Sequence, residues 1–109
     1  MSHQVGLEDL LKVVEENNPQ SDTDMLTRAY ECARNMHEGQ FRKSGEPYII
    51  HPVNVAIILA DLGMDDNAIA AGLLHDVVED TSCSSLELEQ MFNEEVAFLV
   101  EGVTKLDKI

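Results

Sequence analysis

Apolar residues recur along this chain with the spacing of an α-helix. Leucines and valines between residues 7 and 14 form the first such pattern, and Asn17-Asn18-Pro19 ends it. Ser21 or Asp22 can cap a second helix that runs to about His37. We expect the inner face of this second helix to carry Met25, Ala29, Cys32, Ala33 and Met36.

The helical period is lost between Phe41 and Pro52, where Gly45 and Pro47 favour a loop or a short hairpin. Pro52 is suited to the first turn of a third helix, because the amide hydrogen that it lacks has no helical partner there. Gly63 can end that helix. We expect its inner face to carry Val55, Ile58, Leu59 and Leu62.

Two polar positions predict the last two helices. Ser84 followed by Glu87 has the pattern of a capping box and predicts a short helix that ends near Phe92. Asn93 can cap a final helix, whose inner face would carry Val96, Leu99, Val100 and Val103. Since no segment alternates with the period of a strand, the pattern predicts an all-α fold.

The composition fits one small globular domain. The chain has 109 residues, 44% of them hydrophobic, and no tryptophan, so its core must rest on aliphatic side chains. The N-terminus lacks the basic and apolar segments of a signal peptide, and no apolar run approaches the roughly 20 residues of a membrane span. Cys32 and Cys83 have no CxxC spacing, which favours reduced thiols and a cytoplasmic location.

The net charge narrows the range of partners. Twenty-one acidic residues against seven basic ones give a formal charge of −14, which argues against binding a nucleic-acid backbone. The same charge repels a phosphorylated small molecule, so phosphate chemistry here would need a metal ion or a local basic patch. Arg42 and Lys43 form such a patch, close in sequence to His51.

A fourth helix, capped by Asp65 or Asp66 and expected to reach about residue 80, carries candidate ligands at its end. On a helical wheel centred on His75, Glu79 lies at about 40°, and the aspartates at positions 76 and 80 lie at about 100° and 140°. Three acids this close fit a solvent-exposed face, but they repel one another at the helix end that disfavours them. A divalent metal bound by His75 would offset that repulsion.

A second histidine and a glycine lie near this cluster. His51 precedes Pro52 at a predicted helix start, where its side chain can face the fourth helix. A lone histidine in a loop is more often an ordinary surface residue, and we assign His3 and His37 to that class. Gly72 lies one turn before the carboxylates, so we expect it to leave the surface above the site open.

Three stretches of the sequence resemble the N-terminal hydrolase domain of the RelA/SpoT family, bacterial enzymes that make and degrade the alarmones ppGpp and pppGpp. They are RKSGEPYIIHP at residues 42–52, GLLHDVVEDT at residues 72–81 and GVTKL at residues 102–106. The similarity extends over about residues 22–109. It implies an all-α, HD-type helical bundle with metal-dependent hydrolase activity.

The resemblance also implies roles for single residues. His51, His75 and Asp76 match the family's metal ligands, with Mn²⁺ as the usual ion. Glu79 and Asp80 match the pair that activates or positions the water that attacks the 3′-pyrophosphate. These implied roles agree with general chemistry. A bound metal makes hydroxide available near neutral pH, and the guanidinium of an arginine can stack on a nucleotide base. The implied substrate-binding residues are Arg42, Lys43, Ser44 and Tyr48.

The sequence departs from the family in one respect. The family has a further metal ligand, an aspartate in a later stretch resembling Lys-Leu-Ala-Asp-Arg, and no such stretch occurs here. We therefore expect a bundle that is truncated at its C-terminus. Residues 1–20 would form an N-terminal helix, and residues 21–109 would form the first portion of the hydrolase domain.

Two functions stay open at this point. The first is a 3′-pyrophosphohydrolase of ppGpp and pppGpp. The second is a non-catalytic module that binds nucleotide or metal within a bifunctional Rel-type GTP pyrophosphokinase/hydrolase. The predicted partner is the alarmone, without nucleic acid or membrane. A second copy of the chain and the remainder of a longer Rel-type chain are both open as further partners.

Overall fold

The structure, a computed structural model, describes residues 5–107 of the chain, without the side chains of Asp80 and of residues 104–107. Over that range the chain is built from helices and has no strand, so the predicted all-α fold is confirmed. None of the described helices is long and apolar enough to cross a membrane. The helices are α1 (Leu7–Asn17), α2 (Thr23–Met36), α3 (Ile50–Asp61), α4 (Asp66–Leu74), α5 (Val77–Asp80), α6 (Ser85–Met91) and α7 (Glu94–Asp107).

Helix α4 lies at the centre of the bundle. It packs against α2, α3 and α7, while α1 packs on α3 and α6 packs on α7. Every residue from Ile69 to Leu74 is buried. The core around it is aliphatic, as the absence of tryptophan predicts, and α1 contributes Leu10 and Val14 to the same core. The central position of α4 places its C-terminal end, and the residues that follow it, inside the molecule.

The helix starts follow the local chemistry of the sequence. The side chains of Asp22, Asp65, Ser84 and Asn93 each accept a hydrogen bond of 2.8–3.1 Å from the backbone amide three residues later. Each bond satisfies an amide that has no partner within its own helix. The predicted starts of α2, α4, α6 and α7 are therefore confirmed.

The predicted inner face of α3 is wrong in part: Leu59 packs against the core as predicted, but Ile58 and Leu62 do not. Ile58 and Leu62 are 59% and 70% exposed, whereas Val53, Ala56 and Ala60 are buried. Helix α3 is apolar on nearly all sides, so its pattern alone does not choose a face. The small side chains of the two alanines face inward because they let α1 and α4 approach closely.

The predicted face of α2 needs a smaller correction at its C-terminal end. Met36 is 37% exposed, whereas His37 is 3% exposed and Leu26 is fully buried. The buried stripe continues from Ala29 and Ala33 to His37 with the i, i+4 spacing of one helix face. His37 is therefore an interior residue, and its assignment to the surface is wrong. His3 lies outside the described residues.

The fourth predicted helix does not continue to Asp80. Helix α4 ends at Leu74, His75 and Asp76 form a turn, and the short helix α5 follows. Nδ1 of His75 lies 2.6 Å from the carbonyl oxygen of Gly72, which in a continuous helix would accept from the amide of Asp76. The histidine ring thus competes for the helical hydrogen bond at the point where the helix is interrupted.

Candidate metal centre

The side chains of His51, His75 and Asp76 converge where the start of α3 meets the end of α4. Nε2 of His75 lies 3.1 Å from Oδ2 of Asp76, and Nε2 of His51 lies 3.8 Å from the same oxygen. One donor atom from each residue lies within 4.8 Å of the other two. Ligands about 2.1 Å from a shared ion, at right angles or wider, are about 3 Å or more apart. The three residues predicted as ligands therefore fit a divalent metal.

The orientation of His75 suits a ligand that binds through Nε2. Its Nδ1 donates to the carbonyl oxygen of Gly72 over 2.6 Å, because a carbonyl oxygen can only accept. The ring hydrogen is held on Nδ1, and Nε2 is directed toward Asp76. Metal-binding histidines are commonly held in this way by a backbone carbonyl on the other ring nitrogen.

Asp76 is the negative group of the site, and its side chain is only 12% exposed. The hydroxyl of Tyr48 donates a hydrogen bond of 2.7 Å to its Oδ2. Burial by itself raises the pKa of Asp76, but its contacts with His75 and with the Tyr48 hydroxyl outweigh burial and hold the pKa at about 2. Asp76 is therefore ionised near neutral pH, as a metal ligand must be.

His51 lies at the edge of the site, with 31% of its side chain exposed. Burial lowers its pKa, and the neighbouring His75 and Arg42 lower it further. The neutral imidazole that a metal requires is therefore favoured. Nη1 of Arg42 lies 3.1 Å from Nδ1 of His51, so a residue predicted to bind nucleotide contacts a predicted metal ligand directly.

Tyr48 contacts Asp76 of the site, and His37 in turn packs against Tyr48. The two rings lie 4.6 Å apart, centroid to centroid, and Nδ1 of His37 lies 3.2 Å from Oε1 of Gln40. Tyr48 was predicted only as a nucleotide-binding residue, and its contact with Asp76 gives it a second role. The contribution of His37 was missed, although its position four residues after Ala33 on a buried face is a usable signal.

Two cavities flank the candidate ligands. The first, of about 580 Å³ and here called the helix cavity, reaches His51, His75 and Asp76. The second, of about 600 Å³ and here called the loop cavity, lies against the loop between α2 and α3. Tyr48 lines both cavities. Aliphatic walls of the helix cavity include Val55, Leu59, Leu99 and Val103, and the loop cavity is lined by Phe41, Arg42, Lys43, Ser44, Glu46 and Tyr48.

Gly72 has a packing role in addition to its predicted place beside the site. It lines the helix cavity, but it is buried, and an added Cβ would lie 2.7 Å from Cδ1 of Leu59 and 3.6 Å from Cα of Ala56. The missing side chain therefore allows α3 and α4 to pack closely. That close packing brings His51 on α3 within reach of the residues that follow α4.

The remaining predicted residues stand apart from the ligand cluster. Glu79 is exposed on α5 and is not among the residues that line either cavity. The side chain of Asp80, like the side chains of the GVTKL motif after Val103, lies outside the described part of the chain. Ser44 donates to a carboxylate oxygen of Glu46 over 3.3 Å. The catalytic and substrate-binding roles of these residues stay predictions.

The helical bundle and its histidine-aspartate cluster define a class of protein: the chain belongs to the HD domain family, which it matches over residues 29–109. Within that class, proteins of the RelA/SpoT type match nearly the whole chain, so the resemblance predicted from the motifs is confirmed. The chain is 52% identical over 106 residues to the guanosine-3′,5′-bis(diphosphate) 3′-pyrophosphohydrolase of Aquifex aeolicus. It is 50% identical over 102 residues to the bifunctional (p)ppGpp synthase/hydrolase SpoT of Escherichia coli.

Other relatives carry a different activity in their name. The chain is 52% identical over 106 residues to the GTP pyrophosphokinase of Streptomyces coelicolor. The three alignments cover 94–97% of this chain but only 12–15% of the relatives. The chain thus spans about one seventh of the length of these proteins, and their family supports a hydrolase-type domain here.

Proposed function

We propose that this chain is the first part of a metal-dependent 3′-pyrophosphohydrolase that acts on the guanosine alarmones ppGpp and pppGpp. The observation that carries the proposal is the convergence of His51, His75 and Asp76, with Arg42, which lines the loop cavity, in contact with His51. Two neighbouring relatives, from Aquifex aeolicus and Escherichia coli, are named for hydrolysis of these nucleotides. Mn²⁺ is the ion that we propose for the site.

The charges of Asp76 and His51 suit metal binding. A divalent ion held by His51, His75 and Asp76 would make hydroxide available near neutral pH and would neutralise charge on phosphoryl oxygens. Asp76 offers an ionised carboxylate, which the Tyr48 hydroxyl holds in place, and the pKa of His51 is lowered toward the neutral form. His75 presents Nε2 because its Nδ1 is bound to Gly72.

The loop cavity supplies the positive charge that substrate binding needs in a protein of net charge −14. Arg42 has a planar guanidinium suited to stacking on guanine, and Lys43 offers a point charge for a phosphate. In the hydrolysis, the water oxygen bonds to the phosphorus attached to O3′, and the bond between that phosphorus and O3′ breaks. In the proposed roles Glu79 accepts one proton of the water, Asp80 helps to position that water, and the proton passes to O3′ as GDP or GTP and pyrophosphate leave.

The metal site is tested on the chain itself by titration calorimetry with Mn²⁺. We expect Asp76→Asn and His75→Ala to abolish binding. Asp24→Asn, which neutralises an exposed carboxylate in the first turn of α2, should bind as the native chain does. Unchanged Mn²⁺ affinity in the Asp76 and His75 variants would contradict the assignment of these ligands.

The activity is tested on a chimera in which residue 109 is followed by the corresponding remainder of the Aquifex aeolicus relative. With Mn²⁺ and ppGpp, we expect the chimera to release pyrophosphate and its His75→Ala variant to release none. The Aquifex aeolicus protein alone is the positive control. If that protein is active and the chimera is not, the hydrolase proposal for this chain is wrong.

A second candidate function is a non-catalytic module that binds metal or nucleotide within a bifunctional synthase/hydrolase. It is favoured by the relative named GTP pyrophosphokinase, whose name gives no hydrolase activity. This alternative predicts that the chain binds Mn²⁺ while the chimera stays inactive. The two experiments together therefore separate the two functions.

A further inference from the structure

The contact between Arg42 and His51 determines where the imidazole carries its hydrogen. Nη1 of Arg42 lies 3.1 Å from Nδ1 of His51. A guanidinium has donors and no acceptor, so Nδ1 must accept and cannot itself be protonated. In the neutral ring the hydrogen is then on Nε2, the atom that lies 3.8 Å from Oδ2 of Asp76.

The two histidines of the site are therefore held in opposite tautomers. The carbonyl of Gly72 keeps the hydrogen of His75 on Nδ1 and leaves Nε2 for a metal. Arg42 keeps the hydrogen of His51 on Nε2, and a nitrogen that carries a hydrogen has no lone pair to offer a metal. In this arrangement His75 can bind an ion and His51 cannot.

We propose that Arg42 is a latch on His51, whose guanidinium must leave Nδ1 before His51 can bind a metal; the inference rests on the metal site proposed above. For ligation through Nε2, the ring hydrogen has to move to Nδ1, and two donors would then face each other. For ligation through Nδ1, Arg42 occupies the position of the ion. Both geometries require the latch to open.

The loop cavity can receive the Arg42 guanidinium when it leaves His51. Arg42 is exposed, and together with Lys43 it already lines the loop cavity. The guanidinium released from His51 is thus available at the proposed nucleotide site when the metal site fills. Metal binding at His51 and nucleotide binding in the loop cavity both require Arg42 to leave Nδ1 of His51. Each event therefore favours the other, and a nucleotide that holds Arg42 in the loop cavity also favours metal binding.

Paired variants separate the latch from a plain effect of charge. Arg42→Met removes the donor and one positive charge but keeps an apolar stem, and Lys43→Met removes the same charge from the next residue. In calorimetric titration with Mn²⁺, we expect Arg42→Met to bind about three- to tenfold more tightly than Lys43→Met, as the loss of one competing hydrogen bond predicts. Equal affinities in the two variants would overturn the latch.

The His75→Ala variant separates failure of the latch from failure of the metal site. If His75→Ala keeps its Mn²⁺, the proposed metal site is wrong, and the latch that rests on it is overturned as well. If His75→Ala loses Mn²⁺ while the two methionine variants bind equally, only the latch is overturned. Both methionine substitutions lie on an exposed loop, so these two variants are compared as folded chains, and circular dichroism verifies the fold of His75→Ala.

The tautomer itself can be measured without any metal. Long-range ¹H–¹⁵N spectra at pH 8 distinguish the protonated from the bare ring nitrogen, and a His51→Gln spectrum assigns the signals. We expect the His51 hydrogen on Nε2 in the native chain and in Lys43→Met, and a shift of the population toward Nδ1 in Arg42→Met. A hydrogen on Nδ1 in the native chain would overturn the proposal.

Discussion

The hydroxyl of Tyr48 lies 2.7 Å from Oδ2 of Asp76, the same carboxylate oxygen that both histidines of the site face. Three residues therefore surround this oxygen: Tyr48 and His51, close together at the start of α3, and His75, the residue that precedes Asp76. The tyrosine bond is independent of any ion, so it sets the direction of the carboxylate in advance. A metal-binding carboxylate with such a partner loses less freedom when it binds.

Tyr48→Phe tests this support. We expect Mn²⁺ affinity to fall about tenfold, because the substitution keeps the ring and removes only the hydrogen bond that orients Asp76. Titration calorimetry measures the change. Tyr30→Phe on α2 is the matched control and should leave the affinity as it is. Equal affinities in the two variants would mean that the Tyr48 hydroxyl has no part in metal binding.

The buried ring of His37 gives a second prediction. It is 3% exposed and packs against Tyr48, so His37→Ala should lower the free energy of unfolding by about 2–4 kcal/mol through the space it leaves. Nε2 of His37 has no hydrogen-bond partner among the described residues. His37→Phe, which removes that polar atom and keeps a ring, should therefore stay within about 1 kcal/mol of the native chain.

Urea unfolding measures both His37 variants, and Mn²⁺ titration shows whether the effect reaches the site. We expect His37→Ala to weaken Mn²⁺ binding by loosening Tyr48, and His37→Phe to restore it. A Phe variant as unstable as the Ala variant would contradict the role of ring packing.

The pKa of Asp76 predicts how stability depends on pH. Its value of about 2 in the folded chain lies below the usual value of about 3.9 in an unfolded chain. Ionised Asp76 therefore stabilises the fold fully above about pH 5, and this contribution is lost as the pH falls from about 4 to about 2. The difference in unfolding free energy between the native chain and Asp76→Asn should shrink over that range.

Urea unfolding without metal, repeated at several pH values, measures this difference. Asp24→Asn serves as the control, because its carboxylate is exposed and should give a small difference at every pH. A difference for Asp76→Asn that stays constant down to pH 2 would show that the carboxylate is not stabilised in its ionised form.

Gly72 predicts a limit on side-chain size between α3 and α4. An added Cβ would lie 2.7 Å from Cδ1 of Leu59, a flexible chain end beside the helix cavity, and 3.6 Å from Cα of Ala56. Gly72→Ala should cost at most about 1 kcal/mol, since Leu59 can turn aside and alanine favours the helix. Gly72→Val should cost about 2–3 kcal/mol, because its further methyl groups press on the α3 backbone.

Gly102→Ala on α7 is the matched control for Gly72, since nothing lies within 4 Å of its added Cβ. It should gain up to about 1 kcal/mol from helix propensity alone. Thermal unfolding compares the three variants. If Gly72→Val were as stable as Gly102→Ala, close packing at Gly72 would be refuted.

Local chemistry made the helices predictable. Asp65 and Asn93 cap their helices through amides only three residues away, so the sequence contains both partners of each bond. The choice of the buried face on α3 is different. Ile58 and Ala56 are equally compatible with an apolar helix, and only the closeness of α1 and α4 decides that the smaller one faces inward.

The ligand residues of the site were predictable from the sequence, but their supporting contacts were not. The residue types and the motifs pointed to His51, His75 and Asp76, which the fold brings together. Their supporting contacts were not predictable, because Tyr48 reaches Asp76 from a segment far away in the sequence. The interruption after Leu74 was missed as well, since it depends on a side chain competing with the helix backbone for the Gly72 carbonyl.

The turn formed by His75 and Asp76 also affects how metal binding and folding depend on each other. Two of the three donors come from adjacent positions, so almost no chain has to be ordered to form this part of the chelate. His51 comes from another helix, and an ion held by all three closes the loop from α3 to α4 much as a cross-link does. The concentration of free metal then determines how firmly α3 is tied to the centre of the molecule.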